Sequence, residues 1–268
     1  MKKKRDFKRI LTIADLHCGH RVGLTPPKYQ SKLPAEKYFY IQHELWQAFE
    51  SFVTPLKPID ILCINGDAIE GKGPKSGGTE LIAPGRDKQI EIAKAVVDWI
   101  DAPVILMTYG TPYHVGTQED WEGSLAIQID ALKIGAQIWP EVNGIVFDLK
   151  HQSESGSSIP HGKGTPLSKE RLWNMLWAEH DAQPKSDIII RSHCHYAFDC
   201  GEPHWHAFYT PALQGAGTKY GGRRRSGIVH FGILYFDVYK KGETLQEKVR
   251  WDFRTIFVKS QKKKVIKL

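Results

Sequence analysis

The sequence predicts a layered α/β fold that closes with antiparallel strands, and two observations carry that prediction. Short apolar, β-branched runs alternate with amphipathic stretches of helical period through residue 195. Beyond residue 200 the pattern changes to long strand-like runs separated by glycine-rich turns, without strong helical segments.

The apolar runs cover 9–17 (RILTIADLH), 59–67 (IDILCINGD), 103–111 (PVILMTYGT), 144–151 (GIVFDLKH) and 187–195 (DIIIRSHCH). Their near-continuous hydrophobicity suits strands buried on both faces. Helices are predicted over 34–53, where Phe39, His43, Trp46 and Phe49 recur at spacings of three and four, and over 86–100, 119–133 and 168–181. The closing strands are 205–212, 228–239 and 247–258. Segments 71–85 and 153–166 are rich in glycine and small polar residues and read as loops, long enough to be functional. With no internal repeat and no clear linker, a single domain over 1–268 is expected, with basic, mobile ends at about 1–8 and 259–268.

Composition narrows the function classes. Hydrophobic residues at 41% and charged residues at 25% describe a globular chain, and no apolar run approaches the ~20 residues of a membrane-spanning helix. The basic N-terminus lacks the apolar stretch of a signal peptide, so a cytoplasmic protein with no membrane partner is expected. Four cysteines without C-x-x-C spacing read as reduced thiols, too few for a disulfide framework, and argue against a structural zinc site or an iron–sulfur cluster. The net charge of +7 is concentrated at the ends, since residues 1–9 and 259–268 each carry +5, leaving a slightly acidic body. Arg223, Arg224 and Arg225 form an internal basic cluster that reads as a substrate contact or a surface turn.

The chemistry lies at the ends of the predicted strands. Ligands of open α/β sheets gather at the carboxyl ends of the strands. Here those ends carry Asp15 and His17, then Asp67, His114, His151, and finally His193 and His195. Imidazole with carboxylate favours Zn, Mn, Fe or a similar divalent ion. A carboxylate such as Asp67 can bridge two such ions, which then hold a hydroxide between them for attack on phosphorus.

Taken in order, the segments DLHCG (15–19), NGDAIEG (65–71), YGTPYHVG (109–116), FDLKHQ (147–152) and RSHCH (191–195) resemble the calcineurin-like metallophosphoesterases. That family's signature runs Asp-x-His, Gly-Asp, Gly-Asn-His with an acid, a strand-end His, and Gly-His-x-His. The resemblance implies a two-sheet β-sandwich core of mixed strands flanked by helices. It also implies a dinuclear metal-dependent phosphoesterase. One ion would be held by Asp15, His17 and His195, the second by His151 and His193, with Asp67 bridging. His114 would lie near the scissile phosphate as an acid or charge stabiliser, a role open to imidazoles because they titrate near neutral pH.

Two departures from the signature matter. Thr111-Pro112-Tyr113 stands between Gly110 and His114 where the family has its Asn ligand, and Thr111 is the expected replacement, with a water as the alternative. Ser192 replaces a glycine, a change expected to concern backbone room alone. His161, in IPHGKG, competes with His151 for the fourth block. A phosphodiester, including nucleic acid, fits the basic ends and the aromatic content better than a phosphomonoester on a protein or metabolite. A metal-binding interaction module without catalysis and a cysteine enzyme built on Cys18 or Cys194 are the competing classes.

Overall fold

The computed structural model describes residues 5–32, 38–73, 77–115, 120–154, 160–218, 227–258 and 265–266. Arg223, Arg224 and Arg225 lie outside the described residues, as do most of the basic ends.

Two mixed sheets face each other. The first contains β1 (Phe7–Ile13), β2 (Ile61–Asn65), β3 (Ile105–Thr108) and β4 (Lys133–Gly135), all parallel, and continues from β1 into the antiparallel pair β11 (Phe231–Tyr239) and β12 (Val249–Ile256). The second runs in the order β5 (Gln137–Ile138), β7 (Ile145–Lys150), β8 (Ile188–Arg191), β10 (Trp205–Tyr209) and β9 (Phe198–Glu202), with β6 (Glu141–Val142) also paired to β7.

The two-residue side-chain period of a strand sorts these residues between layers. Ile10, Cys63 and Leu106 meet Phe147, Leu149, Ile188, Ile190 and Phe208 in a core between the sheets. Leu11, Leu62, Ile64 and Met107 point the other way, onto α1 (Phe39–Val53), α2 (Arg86–Ile100) and α4 (Trp121–Gln128). α5 (Gly164–Glu179) covers the outer face of the second sheet through Leu167, against Ile189, Ala207 and Tyr209. The result is four layers, helix, sheet, sheet and helix, and the parallel strands buried on both faces are the continuous apolar runs of the sequence.

Several elements differ from the sequence prediction. The strand at 205–209 pairs parallel to β8 as well as antiparallel to β9. α4 stops at Gln128; Asp130 turns the chain with φ +51°, and 133–135 joins the edge of the first sheet. α5 begins inside the predicted 153–166 loop, with Pro166 in its first turn, where a missing N–H costs nothing. β1 begins inside the predicted basic tail; Arg5 reaches Asp60 at 2.9 Å, and Arg9 forks onto both oxygens of Asp237 at 2.6 Å. Arg191, at the end of β8, is fully buried between Asp148 and Glu170, so β7, β8 and α5 are pinned together just before Ser192.

Candidate metal centre

β1, β2, β3, β7 and β8 end on the same side, and each delivers polar side chains to one cluster. Asp15 and His17 follow β1, Asp67 follows β2, Thr111 and His114 follow β3, His151 follows β7, and His193 and His195 follow β8. His114 sits on a short helical turn, α3 (Pro112–Val115). The main chain locks these ends together. Asp15 N–H donates to the Gly66 carbonyl, His17 N–H to the Asp67 carbonyl, Ser192 N–H to the His151 carbonyl, and His193 N–H to Asp15 Oδ2.

Asp15, His17, Asp67, His193 and His195 all hold left-handed backbone, with φ between +47° and +68°. Asp and His tolerate this region better than most residues, but each such position still costs about 1–3 kcal/mol, and such strain concentrates at functional sites. Gly66, at φ +79°, is needed for a second reason: a Cβ there would overlap the His151 ring, standing 2.5 Å from its Cγ.

Two groups of side chains converge with ligand atoms within 4.8 Å of one another: Asp15, His17 and His195, and Asp15, Asp67, His151 and His193. His195 Nε2 lies 3.1 Å from Asp15 Oδ1 and His151 Nε2 3.0 Å from Asp67 Oδ2. Asp15 belongs to both groups, whereas the resemblance assigned the bridging position to Asp67. Hydrogen bonds behind the rings set their tautomers: His151 Nδ1–H donates to the Asn65 carbonyl at 2.7 Å and His17 Nδ1–H to Glu70 Oε2 at 2.8 Å. Nε2 is thereby the nitrogen that each ring turns into the cluster, the arrangement of metal-binding imidazoles. Asp15 Oδ1, His17 Nε2 and His151 Nε2 are buried and make no well-formed hydrogen bond, which is the donor set a divalent cation would satisfy.

The electrostatics agree. Burial alone would raise the Asp15 carboxyl, but His195 and His151 outweigh it and hold it below the ordinary carboxylate range. Asp67 is likewise buried yet held well below that range by His151 and His114. Burial opposes the charged form of His151, but Asp67 dominates and pushes its pKa up to about 10. Burial, aided by His114, lowers His17.

Thr111 and His114 complete the rim. Thr111 N–H donates to Asp67 Oδ1 at 2.7 Å, and its hydroxyl lies 3.1 and 3.3 Å from the two Asp67 oxygens. His114 Nδ1–H donates to the Glu70 carbonyl at 2.8 Å, leaving Nε2 3.9 Å from Asp67 Oδ2. Asp15, Asp67, His17 and His151 are at most 3% exposed, while the His114 and His193 side chains reach 14% and 34%, so these two face incoming molecules.

His161, the competitor of His151, is exposed on a 3-10 turn and belongs to neither group. Cys194 packs against the cluster of Leu167, Ile189 and Tyr209, and burial pushes the Cys18 and Cys63 thiols up, Cys63 to about 12. Neither Cys18 nor Cys63 is poised as a thiolate.

Two acids were not singled out by sequence. Glu70 closes a third possible ligand group with His17 and His114. Glu122, on α4, is buried and accepts N–H bonds from Ala68 at 2.8 Å and Gly110 at 2.6 Å; burial and Asp67 raise its pKa to about 7. Glu70 stands at i+3 from Asp67 within NGDAIEG and was readable there; Glu122 lies 55 residues beyond Asp67 on an amphipathic helix and had no local signal.

No family model and no curated protein matches the sequence. Its similar solved structures include phosphoesterases. An archaeal phosphodiesterase is 12% identical, with 92% of this chain and 99% of that one covered and a TM-score of 0.49. Vps29 from Chaetomium thermophilum is 11% identical, with coverage of 94% and 97% and a TM-score of 0.47. The phosphoesterase YfcE from E. coli is 11% identical, with coverage of 88% and 96% and a TM-score of 0.44. Among the described residues no helix is long and apolar enough to cross a membrane. The chemistry rests on this chain's own side chains.

Proposed function

We propose that this chain is a calcineurin-like metallophosphoesterase that hydrolyses a phosphodiester using two divalent cations, Mn, Fe or Zn. The observation that supports this most is the pair of overlapping ligand groups, built from carboxylates and imidazoles, of which His17 and His151 are already hydrogen-bonded behind the ring. Asp15, His17 and His195 would hold one cation and His151 and His193 the other; Asp67 would take the place between them that the resemblance implies, while Asp15 is the residue common to both ligand groups, and the Thr111 hydroxyl would stand in the place of the family's amide. When bound, such a pair of cations supplies a nucleophile at neutral pH and neutralises phosphoryl oxygens.

The protein's own groups do the rest. The Glu70 carboxylate fixes the His17 tautomer, and the Glu70 carbonyl fixes that of His114. His114 thereby presents Nε2 to the substrate side, where it protonates the leaving oxygen or stabilises charge developing on the phosphoryl group. The positive charge gathered at the basic ends suits a polyanion such as nucleic acid better than a small monoester, with Arg223, Arg224 and Arg225 as candidate contacts. The proposal places a single domain of this kind in the cytoplasm.

The test is turnover of bis-aryl and mono-aryl phosphates in added Mn, followed by single- and double-stranded DNA and RNA. Hydrolysis of the bis-aryl ester that is lost in Asp67→Asn supports the proposal. Full activity in Asp67→Asn sinks it, and bound metal with no turnover of any ester favours an interaction module.

A further inference from the structure

Behind the second ligand group, one buried side chain reaches the strand ends that carry it. Asn65 ends β2, two residues before Asp67. Its carbonyl accepts the Nδ1–H of His151 at 2.7 Å. Its Nδ2 donates to the Lys150 carbonyl at 3.1 Å and to Ser192 Oγ at 2.7 Å, and its Oδ1 accepts from Thr108 Oγ1 at 2.8 Å. Ser192 Oγ accepts a further bond from Thr210 Oγ1 at 2.7 Å. Asn65, Thr108, Ser192 and Thr210 are all fully buried.

Lys150 immediately precedes His151 and Ser192 immediately precedes His193, while Thr108 lies three residues before Thr111, which bonds Asp67. One primary amide thus joins the ends of β2, β3, β7 and β8, and with them both sheets. The amide's two N–H groups meet two acceptors and its oxygen meets a donor, a pattern that an apolar side chain of the same size leaves entirely unmade. His17, in the other group, is oriented separately, by Glu70.

We propose that Asn65 is a positioning residue that sets cation affinity at the group of Asp15, Asp67, His151 and His193 through His151 and His193, the two imidazoles the other group lacks, so that the group of Asp15, His17 and His195 changes far less. The inference rests on the two-cation proposal above. Outer partners that orient metal ligands typically govern affinity by about 10–100-fold.

The experiment is calorimetric titration of Mn into the metal-stripped full chain, for the parent, Asn65→Leu, Thr108→Val and His151→Ala. The parent shows two binding events, and the event missing from His151→Ala marks the second group. Asn65→Leu weakens that same event by at least about tenfold while the other stays within twofold, and Thr108→Val, which removes a single hydrogen bond, weakens it by a smaller factor. If Asn65→Leu fails to fold, Thr108→Val carries the comparison, because its shape is nearly that of the parent. Equal weakening of both events, or of neither, overturns the role of Asn65 while leaving the two-cation proposal standing. A parent that takes up no Mn overturns the two-cation proposal and this inference with it.

Discussion

Replacing Gly110 with alanine perturbs the centre without changing any ligand side chain. A Cβ on Gly110 would overlap the main-chain nitrogen and Oδ1 of Asp67 and stand 2.9 Å from its Cα, about 0.5 Å inside the 3.4 Å at which ordinary contact begins. These are backbone and ligand atoms, not the far end of a flexible side chain. Asp67 already holds φ +49° and has its carbonyl bonded to His17 N–H, so it has no free direction of retreat. The ends of β2 and β3 must therefore separate, stretching the bonds from Gly110 N–H to Glu122 and from Thr111 N–H to Asp67. Overpacking of this kind costs about 1–3 kcal/mol of stability, and displacement of a reacting centre by on the order of 1 Å costs about 10²-fold in rate. Thermal melts, Mn titration and bis-aryl phosphate turnover on Gly110→Ala measure all three effects. A folded variant with parental Mn affinities and activity within about twofold would refute the steric reasoning.

Other consequences can be checked in parallel. In the metal-free protein Asp67 pushes the pKa of His151 up from 6.5 to about 10, so a cation must displace a proton to bind there; the affinity of the second group rises with pH toward about 10, and calorimetry in two buffers of different ionisation enthalpy reads proton release at pH 7. By the same sign, the stabilisation of the metal-free fold by this pair is fully present below pH 6.5 and is lost as pH rises through about 10, which denaturation midpoints across that range will show. His151→Ala removes one metal from the protein whereas His161→Ala leaves the metal content unchanged, as elemental analysis will report. Glu122→Gln turns an NH₂ toward a backbone N–H that now meets a carboxylate oxygen, and is expected to cost about 1–3 kcal/mol in urea denaturation and to weaken Mn binding beside Asp67.

Much of this arrangement was legible in the sequence because it depends on local patterns. The apolar runs before Asp15, Asp67, His151 and His193 are strands, and helical spacing located α2 to the residue at both ends. The four-residue order of SHCH separates naturally: His193 and His195 fall into different groups, and Cys194 turns away into the α5 layer. Less legible were features whose partners lie far along the chain. Ser192 looks in sequence like a glycine site that only needs backbone room, yet its hydroxyl joins Asn65, 127 residues away, and Thr210 on the neighbouring strand. β4 was hidden because 133–135 pairs at a sheet edge with only three residues, too few to show a period. Glu122 was hidden because a helix pattern reports which face is buried and not what a buried acid touches.

The central claim, that two divalent cations sit among these side chains, is tested most directly by anomalous diffraction from crystals of the full chain grown in Mn. The account predicts two Mn peaks, one contacted by Asp15, His17 and His195 and the other by His151 and His193, with Asp67 between them. A single peak, a pair of peaks elsewhere, or His151 bound to neither ion would contradict it.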